Sequence, residues 1–309
     1  MMSLIYKKAS LHGWLNLEKP RGISSFHVVR RVRNALSVAK VGHGGTLDPL
    51  ATGVLPIALG EATKTTYYAM NCMKTYQFGI RWGESRTTDD LEGEISATSD
   101  LRPSKKAIHQ ALCNFIGQIE QVPPQFSAIK VAGRRAYDFA RRNESVNLKA
   151  RSVTIYSFNL IDLVNRDRAS FSVTCGKGTY VRSLARDLAH WLGTVGHVEW
   201  LRRTVVGAFE ESRTISLDKI ESLGHIAANS SALMPVEAVL DDIPALTLMA
   251  DEAQRLKYGQ SICLSPVFSR SPFKDIQNGD TVCAMLDGRL LALARVENGV
   301  IRPVRVMNF

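Results

Sequence analysis

The chain has 309 residues, 45% of them hydrophobic, with 39 Lys and Arg against 29 Asp and Glu and a formal net charge of +10. That length can bury a large core and leads us to expect two domains, while no apolar run approaches the ~18 residues of a membrane span. Lys7 and Lys8 open the chain without the apolar core of a signal peptide, so a cytoplasmic protein is expected. The five cysteines (Cys72, Cys113, Cys175, Cys263 and Cys283) form no C-x-x-C pair, and the seven histidines form no H-E-x-x-H. Neither a disulfide framework nor a metal site is expected. The excess of positive charge points to a polyanionic partner.

In chain order, Ser24 or Ser25 caps a helix predicted to run to about Leu36, with Val28, Val32 and Leu36 as its apolar stripe. Residues Gly42 to Pro56 then read G-H-G-G-T-L-D-P-L-A-T-G-V-L-P. This loop carries a single carboxylate, Asp48, among glycines that let the backbone bend tightly or approach a ligand closely. Pro49 fixes the chain after the acid and biases Asp48 towards an extended conformation. An Asx-turn would use the same residues, but so would a preorganised reactive acid with His43 near it.

Strands are predicted over residues 54–60, 75–82, 151–164 and 169–175, which are rich in β-branched and aromatic residues. Ser104 caps a second helix with Ile108, Leu112 and Phe115 on one face, and Gly117 stops it. Residues 123–150 form a polar, basic excursion that starts with Pro-Pro and holds an Arg-rich helical piece from Arg134 to Arg142. A third helix is predicted from about Arg182 to Leu192. Pro235 and Pro244 bracket a linker; beyond it, Asp287-Gly288 and Asn298-Gly299 join three strands by tight turns. Strands and helices mix without βαβ regularity, so the expected class is α+β with a largely antiparallel sheet. Basic residues cluster at Arg30, Arg31 and Arg33, and in the pairs Lys105-Lys106, Arg134-Arg135, Arg141-Arg142 and Arg202-Arg203, a pattern suited to a phosphate backbone.

The Asp48 loop resembles the catalytic motif of the B-type tRNA pseudouridine synthases, which isomerise uridine 55 (tRNA numbering) in the T loop. Five further stretches resemble that family in order: Lys19 to Ser25, Lys74-Thr75-Tyr76, Thr88 to Gly93, Pro123 to Lys130, and Cys175 to Leu184. Gly44 departs from it, standing where many members carry Thr. The resemblance implies a pseudouridine synthase fold over residues 1–245, with 123–150 as an RNA-gripping insertion, and a PUA-like RNA-binding domain over 246–309. It also implies the T stem-loop of tRNA as substrate, with no metal, no membrane and no obligate protein partner.

The reaction breaks the C1′–N1 bond, turns the base and rejoins it through C5. Nothing is gained or lost, so no cofactor is expected. The target base must first be extruded, at a cost of a few kcal/mol. Asp48 is the expected catalytic carboxylate, by attack at C1′ or by removal of a sugar proton, and the residues leave both routes open. No second acid sits in a comparable loop, which suits isomerisation better than glycoside hydrolysis. The resemblance makes Tyr76 the residue that stacks on the base and helps remove the C5 proton. Arg182 pairs with Asp48, Tyr180 and Leu201 wall the uracil pocket, and His43 enters the space left by the flipped nucleotide. Asp90 anchors the loop of His43, and Lys64 meets a phosphate. Gly176-Lys177-Gly178-Thr179 lacks the spacing of a phosphate-binding loop, so an NTPase is excluded. Two other readings share these motifs: a guide-RNA-dependent synthase, and an RNA-folding chaperone with secondary catalysis.

Overall fold

Strand-forming runs from most of the chain assemble a central sheet in a computed structural model that describes residues 11–131, 133–140, 142, 144, 146–224, 232–272 and 275–309. Its strands are β1 (Gly13–Lys19), β2 (Thr52–Leu59), β3 (Lys74–Trp82), β4 (Gly117–Gln121), β5 (Arg151–Asn165), β6 (Arg168–Cys175), β7 (Gly196–Val206) and β8 (Ile215–Ser216). They lie in the order β8-β1-β2-β7-β3-β6-β5-β4, with short strands attached at the margins. The pairs β8–β1 and β2–β7 are parallel and the other neighbours antiparallel. The fold is α+β. Arg141, within the expected basic cluster, lies outside the described residues.

Helices α1 (Ser25–Leu36), α2 (Lys105–Leu112) and α3 (Val181–Trp191) pack on this sheet. Ser24 caps α1 by accepting a hydrogen bond from the His27 N–H at 3.3 Å, and Val28, Val32 and Leu36 are buried against the sheet. The main core joins them to Leu55, Ile57, Phe78, Phe171, Leu184 and Leu188. The sequence reading missed β1 and β7, although β7 lies mid-sheet between β2 and β3. In the basic excursion, Lys130–Val131 pairs with Arg134–Arg135 as a short hairpin, and the helix covers only Ala136–Ala140.

A second sheet contains β9 (Ala245–Thr247), β10 (Ile262–Cys263), β11 (Thr281–Leu286), β12 (Arg289–Glu297) and β13 (Val300–Val306), in the order β9-β11-β12-β13-β10. Its hairpins turn on Asp287-Gly288 (φ 47° and 76°) and Asn298-Gly299 (φ 50° and 78°), the double positive φ that Asn-Gly and Asp-Gly tolerate. The expected linker between Pro235 and Pro244 is instead a packed joint. Val236, Val239 and Leu240 are buried in a core that also takes Trp14 and Val54 from the large sheet and Leu290, Leu293 and Met307 from the small one. Glu237 Oε1 accepts from the Leu290 N–H at 2.8 Å, fixing the joint to β12.

Candidate active site

The Gly42–Pro56 loop is fastened at nearly every peptide around Asp48. Buried Ser25 donates to the Leu47 carbonyl at 2.9 Å and accepts from the Leu47 N–H at 2.8 Å. On the other side of the acid, the Pro49 carbonyl accepts from Lys19 Nζ at 3.2 Å and from the Gly22 N–H at 2.8 Å. Lys19 also donates to the carbonyls of Pro20 and Ile23, and burial pushes its ammonium pKa down to about 8 against the opposing pull of Asp48. Gly53 has φ +98°, and a Cβ there would lie 2.2 Å from the Arg203 carbonyl, so only glycine lets the loop re-enter β2 beside β7.

Asp48 Oδ2 stands 2.9 Å from Arg182 Nε. The N–H lies off the line to the oxygen, making this a charge contact rather than an aligned hydrogen bond. The Arg182 side chain is 6% exposed and Asp48 35%, so the acid faces solvent from a buried cation. The rest of the guanidinium is held by the carbonyls of Thr88 (2.9 Å) and Phe126 (3.0 Å). Asp90 Oδ2 lies 3.6 Å from the same Nε and is 3% exposed. The carboxylates of Asp48 and Asp90 outweigh the cost of burial and raise the Arg182 pKa, so its charge is permanent. Asp90 is thus a second acid close to Asp48, which the sequence reading did not foresee. Its Oδ1 accepts from the Glu92 N–H at 3.0 Å and from the Thr88 hydroxyl, so it braces Arg182 rather than the loop of His43.

Tyr76 on β3 and Leu201 on β7 are buried and share a sheet face, since Arg203 pairs with Tyr76 and Leu201 with Phe78 in register. Burial raises the Tyr76 phenol pKa. Tyr180 precedes α3; its backbone N–H donates to Gln121 Oε1 at 2.8 Å, and its ring lies 4.8 Å from the Arg151 guanidinium carbon. His43 Nδ1 accepts from the Gly45 N–H at 3.3 Å, and burial, then Arg203, lowers its pKa, which keeps the ring neutral. Cys175 pairs with Lys74 across β6 and β3, and burial pushes its thiol up to about 11, an inert group.

One expectation about basic residues needs correction, and Lys64 has protein partners of its own. Lys64 donates to the Val306 carbonyl at 2.6 Å and pairs with Glu61, whose Oε2 also accepts from the Asn308 N–H at 2.8 Å. It thereby ties the two sheets together. Arg202 and Arg203 do not present a phosphate-binding pair. Arg202 is held by Glu18 (2.8 Å) and Glu211, while Arg203 is 1% exposed. Arg203 donates to the carbonyls of Val54 (2.8 Å), Gly45 (3.0 Å) and Thr46 (3.4 Å), and so holds the Asp48 loop from beneath. The sequence reading placed Arg203 in a phosphate-facing pair and Ser25 at a helix cap and in the opening motif, with neither as a support of the Asp48 loop. The signal it passed over was the β-branched run Thr204-Val205-Val206, which makes Arg203 part of a strand and forces alternate side chains inward.

The family model for the N-terminal domain of TruB family pseudouridylate synthases matches residues 33–181, and that for the C-terminal domain of tRNA pseudouridylate synthase B matches 182–241. The chain is 52% identical over 307 residues to tRNA pseudouridine synthase B of Rhodospirillum rubrum, covering 99% of this chain and 100% of that protein. The chain belongs to the TruB family of pseudouridylate synthases. The Caulobacter vibrioides protein of the same description is 49% identical over 301 residues, covering 97% of each chain. Among solved structures, a Cbf5-Nop10-Gar1 complex matches with TM-score 0.74 at 25% identity, covering 96% of this chain and 84% of that one. An H/ACA RNP bound to a substrate RNA containing 2′-deoxyuridine matches with TM-score 0.72 at 23% identity over 96% and 86%. The family models end at residue 241, while the likeness to these solved structures spans both sheets.

Proposed function

We propose that this TruB family enzyme isomerises uridine to pseudouridine at position 55 in the T loop of tRNA, with Asp48 as its catalytic carboxylate. The observation that carries the reading is the Asp48–Arg182–Asp90 cluster: a half-exposed acid aimed by a buried, permanently charged guanidinium. Attack at C1′ and removal of a sugar proton both use a carboxylate oxygen of Asp48, and the Arg182 cation 2.9 Å from Oδ2 holds that oxygen in place. Breaking C1′–N1 leaves the electron pair on the uracil. Tyr76 stacks on the base while it turns, and its hydroxyl takes part in removing the C5 proton after C5 has rejoined C1′. Leu201 and Tyr180 bound the pocket, and His43 fills the space left by the extruded nucleotide.

The 123–150 insertion grips the RNA arm. In support, exposed Lys130, Arg134 and Arg135 lie on its hairpin, and its Phe126 carbonyl is bound to Arg182, linking grip to catalysis. The second sheet acts as a PUA-like module that adds RNA contacts. Curated relatives near 50% identity along the whole chain are tRNA enzymes, which favours a stand-alone cytoplasmic protein over a guided one. Among the described residues no helix is long and apolar enough to cross a membrane. The test is to incubate the purified protein with an unmodified tRNA transcript and map pseudouridine. Product at position 55 without added RNA or protein supports the reading; product only with a guide RNA, or none, refutes it.

A further inference from the structure

Two arginines one turn apart on α3, Arg182 and Arg186, bridge the same two segments of the chain. Arg182 donates to the carbonyls of Thr88 and Phe126, at 2.9 and 3.0 Å. Arg186 donates from Nη1 to Asp89 Oδ2 at 3.0 Å, from Nη2 to the Val122 carbonyl at 2.8 Å and from Nε to Asp187 Oδ1 at 2.9 Å. Each nitrogen of its fork thus has a partner of its own. Val122 is the last residue before the 123–150 insertion, and its carbonyl also accepts from the Ser183 hydroxyl at 2.9 Å. Pro123 and Pro124, which follow, offer no N–H, so the ties at this root run from carbonyls to donors on α3. Asp89 has φ +59°, a conformation that a residue with a side chain holds only where its surroundings impose it. Here its N–H donates to the Arg86 carbonyl at 3.0 Å, its carbonyl accepts from the Val198 N–H of β7 at 3.0 Å, and its carboxylate is bound by Arg186. The residues on either side of Asp89 both meet Arg182: Thr88 through its carbonyl, and Asp90 through a carboxylate oxygen 3.6 Å from Nε.

We propose that Arg186 is a positioning residue for the isomerisation: it locks the Asp89 turn to the root of the insertion and so sets the two carbonyls that aim Arg182 at Asp48. The inference rests on the roles of Asp48 and Arg182 proposed above. The Arg182 guanidinium is oriented by acceptors from two separate loops, and neither loop belongs to the sheet. One donor fork that grips both loops keeps those acceptors at a fixed spacing, which two independent contacts would not do. Loss of Arg186 leaves Val122 bound by Ser183, so the insertion keeps its root, while the Asp89 carboxylate loses its partner and the spacing between the loops is released. The exposed Lys130, Arg134 and Arg135 lie beyond Phe126 and can still meet phosphates. The effect therefore falls on the rate of the bound complex rather than on RNA affinity.

The experiment measures single-turnover pseudouridine formation on a T-stem-loop hairpin across a range of enzyme concentrations, which separates the saturated rate from the half-saturation point. It uses wild type, Arg186→Gln, Asp89→Asn and the double variant, at a temperature where thermal melting shows each of them folded. A contact that only stabilises the fold lowers the melting temperature and leaves the saturated rate of folded protein alone. The expected result is a saturated rate about ten- to a hundredfold lower in Arg186→Gln and in Asp89→Asn, with half-saturation within about threefold of wild type. The double variant should lose no more than the worse single one, because both substitutions break the same tie. An unchanged saturated rate in folded Arg186→Gln overturns the inference, and so does weaker half-saturation alone, which would make Arg186 an RNA contact. Losses that multiply in the double variant also overturn it. Should Arg186→Gln not fold, Asp89→Asn carries the same comparison, and an unchanged saturated rate there overturns the inference. Asp48→Asn is the control: full turnover by that variant, or a hairpin that wild type leaves unmodified, refutes the proposed function itself, whereas wild-type rates in the Arg186 and Asp89 variants refute this inference alone.

Discussion

Ser25→Ala tests whether the Asp48 loop is held by its peptides rather than by its side chains. The Ser25 hydroxyl satisfies both the N–H and the carbonyl of Leu47, at 2.8 and 2.9 Å, in a region where both residues are buried. Removing it strands two buried backbone groups, each worth about 1–3 kcal/mol when unpaired. A destabilisation of about 2–6 kcal/mol follows, and at roughly 2–4 °C per kcal/mol for a domain of this size the melting temperature should fall by about 4–24 °C. Leu47 adjoins Asp48, so the same loss frees the acid to move against Arg182. A displacement near 1 Å costs on the order of a hundredfold in rate. Hairpin affinity should stay within about twofold, since phosphate contacts supply most of it. Thermal melting and single-turnover pseudouridine formation on a T-stem-loop hairpin measure both quantities. A variant that melts within about 1 °C of wild type and turns over at the same rate would show that Ser25 does not position Asp48.

Asp48→Asn should bind tRNA normally and form no product; turnover within about tenfold of wild type would remove Asp48 from the chemistry. Arg182→Met should cost about 3–5 kcal/mol of stability besides activity, because Asp90 stays buried without its cation; a folded variant of unchanged melting temperature would contradict that account. Arg134→Ala with Arg135→Ala should weaken hairpin binding and flatten the log–log salt slope by about 0.7–0.9 for every phosphate left without its cation, and an unchanged slope would place the RNA elsewhere. Lys19 titrates near pH 8 when folded and at 10.5 when solvated. Between those values the unfolded chain binds the proton that the fold has released, so wild type should gain stability relative to Lys19→Met as pH rises through this window. Denaturant titrations below and above pH 8 read this directly, and a gap that does not change with pH would refute it.

The sequence determined the local elements and singled out Asp48 as the candidate acid. Ser24 caps α1 because its hydroxyl meets a helix N–H within three residues, and Asp287-Gly288 and Asn298-Gly299 turn because those dipeptides accept positive φ. Asp48 stood out because Pro49 and the surrounding glycines frame one carboxylate, and six motifs in family order favour a reactive acid over the Asx-turn that the same residues allow. These signals act over a few residues and need no partner from elsewhere in the chain. What surrounds the acid was decided by tertiary structure alone. Arg203 looked like half of a basic surface pair until β7 was seen between β2 and β3, where strand alternation turns one arginine to the acids at the rim and the other into the core. Asp90 became a partner of Arg182, and Lys64 a tie to Val306, through contacts spanning 92 and 242 positions in the chain. A charge is assigned its role by whatever lies within about one Debye length, roughly 10 Å, and folding selects that neighbourhood from the whole chain.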